Sequence, residues 1–160
     1  MQDNIIVKPS VEKQFDRFLR QGRVLFFSAP CGFGKTAVAE ALLSSREVLR
    51  LPADSAGFKL PSAEADWQIL LLDDLQDMQE EQDWNALCEL IRAFPERRFV
   101  LLSRGTPPGS LMAFQYTGLM TVLEADDLLF DADDVRRLLR LYGVEAADSE
   151  IDGILKESVG

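Results

Sequence analysis

Apolar residues along this chain recur with two periods. Val24 to Ser28, Ile69 to Leu72 and Phe99 to Leu102 are short, continuous apolar runs. Runs of that kind predict strands covered by helices on both faces. Val48, Leu49 and Leu51 predict a second strand, and Leu119 to Leu123 a fifth. Between them the period lengthens to that of a helix. Val11, Phe15, Phe18 and Leu19 share one face after Ser10, a candidate cap, and Gly22 ends that helix. A second helix is predicted from about Gly34 to Ser45, with Val38, Ala41 and Leu42 inward. A third carries Trp84, Leu87, Cys88, Ile91 and Phe94 and is closed by Pro95. A short helix is predicted around Leu111 to Tyr116. Asp131 caps a further helix bearing Val135, Leu138, Leu139 and Tyr142, and a last one spans about Asp148 to Ser158. Residues 1 to 9 read as extended and 52 to 66 as a loop. Strands alternating with helices predict an α/β fold with a mainly parallel sheet.

Composition narrows the chemistry. The 160 residues fit one domain, at 47% hydrophobic and 28% charged an ordinary globular composition. With no histidine, Ser-His and Cys-His nucleophiles and histidine-ligated metals are excluded. Two cysteines make no disulfide framework. No apolar run approaches the ~20 residues of a membrane span, and Met1 to Pro9 lacks a signal-peptide core, so a cytoplasmic protein without a membrane partner is expected. Net charge is -10, concentrated towards the carboxyl end, a poor surface for direct contact with nucleic acid.

The stretch with the most specific chemistry is Ala29-Pro30-Cys31-Gly32-Phe33-Gly34-Lys35-Thr36, followed by Ala37. A strand, a glycine-containing turn ending in Gly-Lys-Thr and a helix form the setting of a phosphate-binding loop, the Walker A pattern. Its glycines let main-chain amides and the helix N-terminus face a triphosphate. Lys35 is expected to reach the β- and γ-phosphates, and the Thr36 hydroxyl to ligate Mg²⁺. Ala29 replaces the usual first glycine, where a small residue suffices.

Asp73 and Asp74 follow the third apolar run and so lie at the strand edge where open α/β sheets bind ligands. An Asp-Asp pair is by itself more often a turn than a metal site. Coupled to a phosphate loop, it makes Asp73 a second Mg²⁺ ligand through water and Asp74 a group to orient or deprotonate the attacking water. Arg104 ends the fourth strand on that edge, placed to read a γ-phosphate or to pair with Asp73 or Asp74. Cys31 is a candidate oxidant-sensitive thiol or simply a variable loop position. Ile5, Ile6, Val7 and Pro9 either line the adenine or make a plain edge contact.

Ala29 to Thr36, Leu70 to Asp74 and Val100-Leu101-Leu102-Ser103-Arg104-Gly105-Thr106-Pro107-Pro108 resemble the ATPase module of the STAND signal-transduction NTPases. Within these the chain looks most like the large ATP-dependent LuxR-type transcriptional activators related to the maltose regulator. Leu123 to Phe130, with Asp133-Asp134-Val135 and Leu138-Leu139, is similar to the family's segment leaving the sheet for a helical subdomain. The resemblance implies a P-loop NTPase of ASCE type with strand order 5-1-4-3-2. It also implies ATP or ADP with Mg²⁺ as ligands, slow hydrolysis used as a switch, self-association of the full-length protein, and DNA binding only through a distant C-terminal domain. It divides the chain into a nucleotide-binding core, 1-125, and the truncated start of a helical subdomain, 126-160. The interval from Thr36 to Ile69 is shorter than in the maltose-type regulators, and the family's Gly-x-Pro motif falls beyond Gly160. Two other readings are a P-loop small-molecule kinase and a non-hydrolysing nucleotide-binding scaffold. Against the first, residues 105 to 118 hold no Lys or Arg for a lid.

Overall fold

The structure, a computed structural model, describes residues 6–53, 59–62 and 64–158. Its strands are β1 (Val24–Ser28), β2 (Val48–Pro52), β3 (Ile69–Asp73), β4 (Arg98–Ser103) and β5 (Met120–Glu124). They form one parallel sheet in the order β2-β3-β4-β1-β5, which from the other edge is the expected 5-1-4-3-2. Among the described residues seven helices accompany it: α1 (Pro9–Gln21), α2 (Lys35–Leu43), α3 (Glu81–Ala93), α4 (Met112–Tyr116), α5 (Ala125–Leu128), α6 (Ala132–Leu141) and α7 (Asp148–Ser158). Single 3-10 turns stand at Leu75–Asp77 and Gly109–Leu111.

The sheet is apolar on both faces, and alternate residues of each strand serve opposite cores. Phe26, Leu70, Leu72, Phe99 and Leu101 meet α3 and α4 through Leu87, Ile91 and Phe114. Leu25, Phe27, Leu71, Val100 and Leu102 meet α1 and α2 through Phe15, Phe18, Ala39 and Leu43. This double cover is why the strands read as unbroken apolar runs. Strand ends are in register, Ser28 lying beside both Ser103 and Glu124, so the loops after β1, β3 and β4 open on one edge. At the opposite edge the guanidinium of Arg23 donates to the carbonyls of Ile91, Phe94 and Arg97, tying the end of α3 to β1.

Several boundaries differ from the sequence reading: α2 ends at Leu43 rather than near Ser45, and β4 runs one residue further at each end, from Arg98 to Ser103. Helix α1 begins at Pro9 with Lys8 as its cap, and Ser10 lies inside it, because proline has no N–H to leave unpaired in a first turn. Strand β5 begins and ends one residue later than expected. A helical turn, α5, follows β5 directly, its start closed by Glu124 and Asp127 in a capping box. Asp131 caps α6 as expected: it accepts from the Asp134 N–H at 2.9 Å, and Asp134 returns the bond to the Asp131 N–H.

Candidate functional site

The loop from β1 to α2 turns at Gly32 (φ 89°) and Gly34 (φ 74°), both in the left-handed region that a side chain strains. Gly34 caps α2, and its carbonyl accepts from the Val38 N–H at 2.9 Å. The N-terminus of α2 therefore faces the loop, a concentration of N–H groups suited to an anion. The Lys35 ammonium donates to the carbonyls of Ala29 (2.6 Å) and Pro30 (2.9 Å). Burial lowers its pKa; Cys31 and Asp73 act in the opposite direction, and Arg104 adds to the lowering. An anionic ligand beside these two cations relieves that repulsion.

Thr36 Oγ1 donates to Asp73 Oδ2 at 2.9 Å. Strand β4 lies between β1 and β3, so the contact is not one of neighbouring strands. Helix α2 makes it by crossing β4, its Ala39 and Leu43 packed with Leu71, Val100 and Leu102, which brings its first turn over the end of β3. Asp73 Oδ1 accepts from the Asp74 N–H at 2.7 Å. Asp74 has φ 57°, a left-handed conformation that aspartate tolerates better than most side chains and that turns the chain sharply out of the sheet.

A pocket of about 380 Å³ is bounded by Cys31, Gly32, Gly34, Lys35, Thr36, Ala37, Asp73, Asp74 and Arg104. Among the described residues Arg104 makes no salt bridge, so the alternative pairing with Asp73 or Asp74 is not the arrangement found. The Pro30 carbonyl accepts from Lys35, and neither Pro30 nor Phe33 is among the residues that bound this pocket. Phe33 instead joins Gly32, Gly34, Leu128, Leu129 and Phe130 around an adjoining apolar pocket of about 290 Å³. The two cavities share Gly32 and Gly34, placing a chamber edged by charged side chains beside an apolar one.

Of Ile5, Ile6, Val7 and Pro9, which read as either an adenine lining or a plain edge contact, none of the described ones bounds this apolar cavity. Ile5 lies outside the described residues; Ile6 is buried, Val7 packs into the core, and Pro9 starts α1. The wall is supplied by the segment after β5, where Leu-Leu-Phe follows an acidic turn. Lys8 holds it in place, donating to the Leu129 carbonyl at 2.7 Å and facing the buried carboxylate of Asp134 at 3.8 Å. Gln76 is a second residue that sequence reasoning missed: its side chain meets both Asp74 and the main chain of Arg104. Cys31 is exposed on the pocket rim, and Cys88 is core, its thiol pKa raised by burial.

The oxygen donors present suit a hard cation. A hydroxyl and a carboxylate 2.9 Å apart beside a phosphate-shaped loop match Mg²⁺, which takes one or two protein oxygens and fills its other positions from phosphate and water. Among the described residues no group of three or more acidic, cysteine or histidine side chains forms a separate metal cage.

No protein-family model and no curated protein matches the sequence. Solved structures do resemble it. A signal transduction ATPase with numerous domains (STAND), with a tetratricopeptide repeat sensor, from Pyrococcus horikoshii superposes with a TM-score of 0.64 at 11% identity over 99% of this chain. The RuvB Holliday junction branch migration motor of Thermotoga maritima gives 0.59 at 16% identity over 94%, and a DNA replication initiation factor 0.57 at 18% over 98%. The fold is that of a P-loop NTPase. The chain spans 28% of the STAND protein, 56% of RuvB and 59% of the initiation factor. Among the described residues no helix is long and apolar enough to cross a membrane.

Proposed function

We propose that this P-loop chain is an ATP-binding, slowly hydrolysing switch module of a signal-responsive transcriptional regulator. The observation that carries the reading is convergence: Lys35 and Thr36 at the start of α2, Asp73 and Asp74 at the end of β3, and Arg104 just after β4 bound one cavity. An apolar cavity of a size for a base adjoins it. In this reading the amides from Pro30 to Ala37 cradle the phosphates, and Lys35 leaves its loop carbonyls for the β- and γ-phosphates. Thr36 and Asp73 would hold Mg²⁺, which would supply positive charge to the phosphate oxygens. Asp74 orients the attacking water and accepts its proton, and Arg104 meets the charge on the γ-phosphate. Phe33, Leu128, Leu129 and Phe130 enclose the base. ADP occupies the same site after hydrolysis.

The regulatory half of the proposal rests on the resemblance of the phosphate loop and the Ser103-Arg104-Gly105-Thr106-Pro107-Pro108 segment to the LuxR-type STAND regulators, and on the likeness to a STAND structure. It assigns 1-125 to the nucleotide core and 126-160 to the start of a helical subdomain, in a cytoplasmic protein. Self-association belongs to the full-length protein, and DNA binding to a domain outside these residues. Phosphate release from Mg-ATP tests the enzymatic part: slow release to water, reduced at least about tenfold by Asp74→Asn, is expected. Phosphate transfer to an added metabolite identifies a kinase instead. ATP binding with no release identifies a scaffold.

A further inference from the structure

We propose that Gln76 is a positioning residue that joins the carboxylate of Asp74 to the main chain carrying Arg104, and thereby sets how strongly the site prefers a triphosphate to a diphosphate. The inference rests on the nucleotide reading above. A glutamine amide carries a donor and an acceptor in one rigid plane. Both are used here: Nε2 donates to Asp74 Oδ1 at 3.1 Å, and Oε1 accepts from the Arg104 N–H at 3.1 Å. One side chain thus spans the ends of β3 and β4, touching the two residues assigned to the water and to the γ-phosphate.

The supports behind this amide are fixed. Gln76 lies in the turn after β3, closed by Asp77 N–H to the Asp74 carbonyl (3.1 Å) and Met78 N–H to the Leu75 carbonyl (3.0 Å), with Leu75 fully buried. On the other side of Arg104, the Gly105 N–H donates to Ser103 Oγ at 3.1 Å, and Ser28 Oγ donates to the Gly105 carbonyl at 2.8 Å. The peptide that aims Arg104 is pinned from both directions, while its guanidinium is left exposed at the pocket. The bonds also run in series: Thr36 to Asp73, Asp73 to the Asp74 amide, Asp74 to Gln76, and Gln76 to Arg104. Pre-organising a cation at the third phosphate favours ATP and leaves ADP untouched, because ADP has no group there.

Calorimetric titration of the 160-residue chain with Mg-ATP and Mg-ADP tests this, ADP serving as the control for an intact phosphate loop. The wild type is expected to bind ATP about tenfold more tightly than ADP. Gln76→Leu removes both hydrogen bonds and is expected to cut that advantage to about threefold or less with ADP affinity within about twofold. Gln76→Glu sets a carboxylate against Asp74 Oδ1 and adds negative charge beside the third phosphate, so it is expected to lower the ATP advantage as well and to slow phosphate release. An unchanged ratio in Gln76→Leu overturns the proposal, as does a parallel fall in ATP and ADP affinity, which marks a merely structural role. A wild type that binds neither nucleotide overturns the nucleotide reading and this inference together; one that binds ADP normally with Gln76 variants unaltered overturns this inference alone.

Discussion

Thr36 and Asp73 share a 2.9 Å hydrogen bond although a whole strand, β4, lies between those that precede them. The crossing of α2 over the sheet brings a hydroxyl from the first turn of α2 beside a carboxylate at the end of β3, the pair proposed to hold Mg²⁺. Asp73→Asn and Thr36→Ala are each expected to weaken Mg-ATP binding about tenfold or more. Binding measured with excess chelator should fall in the wild type and change little in Asp73→Asn. Calorimetry with and without Mg²⁺ checks both statements.

The apolar cavity at Phe33 predicts a separation of base from phosphate affinity. Phe33→Ala and Phe130→Ala each remove apolar surface from its wall and should cost about 1–2 kcal/mol in ATP binding. Inorganic triphosphate, which has no base, should bind both variants as it binds wild type. Equal losses for the two ligands would place the base elsewhere.

Much of this arrangement was legible because it is local. The runs at Val24, Ile69 and Phe99 must be buried on both faces, which leaves their ends, Ser28, Asp73 and Ser103, at one edge. The glycines of the loop and the cap at Asp131 are likewise decided within a few residues. The apolar wall beside the phosphate loop was not legible from residues 6 to 9, since it depends on how the segment after β5 folds back. Its signal is the Leu128-Leu129-Phe130 run, too apolar for a loop that faces only water. Gln76 carried no signal, because its partner is a main-chain N–H 28 positions away. Ser10 looked like a cap because serine usually is one; Pro9 claimed the first turn instead.

Lys8 and Asp134 connect the start of α1 to α6. Asp134 is only 4% exposed and faces Lys8 at 3.8 Å and Arg137 at 3.9 Å. Lys8→Met takes away one of those charges and the donor to Leu129, leaving a carboxylate poorly compensated in a dry setting. A loss of about 1–3 kcal/mol is expected in urea unfolding. Pairing it with Asp134→Asn should recover part of the loss, since the buried charge is then gone.

Glu40 on α2 and Arg50 on β2 are joined by two hydrogen bonds of 2.7 Å. The bond to Arg50 holds the Glu40 carboxyl below its ordinary pKa, outweighing the opposing effect of burial. A depressed folded-state pKa adds stability above the unfolded value and loses it as pH falls through the folded one. Both partners are partly exposed, so Glu40→Gln should cost only about 0.5 kcal/mol near pH 7. The gap in melting temperature between wild type and variant should close as the pH drops below about 4.

The central claim is that the loop from Ala29 to Thr36 grips a triphosphate, with Lys35 exchanging two carbonyl partners for phosphate oxygens. Calorimetric titration of Mg-ATP into wild type and Lys35→Ala tests it most directly. Saturable binding by the wild type, with affinity reduced at least about a hundredfold in the variant, is the predicted result. Wild-type affinity in Lys35→Ala would contradict it.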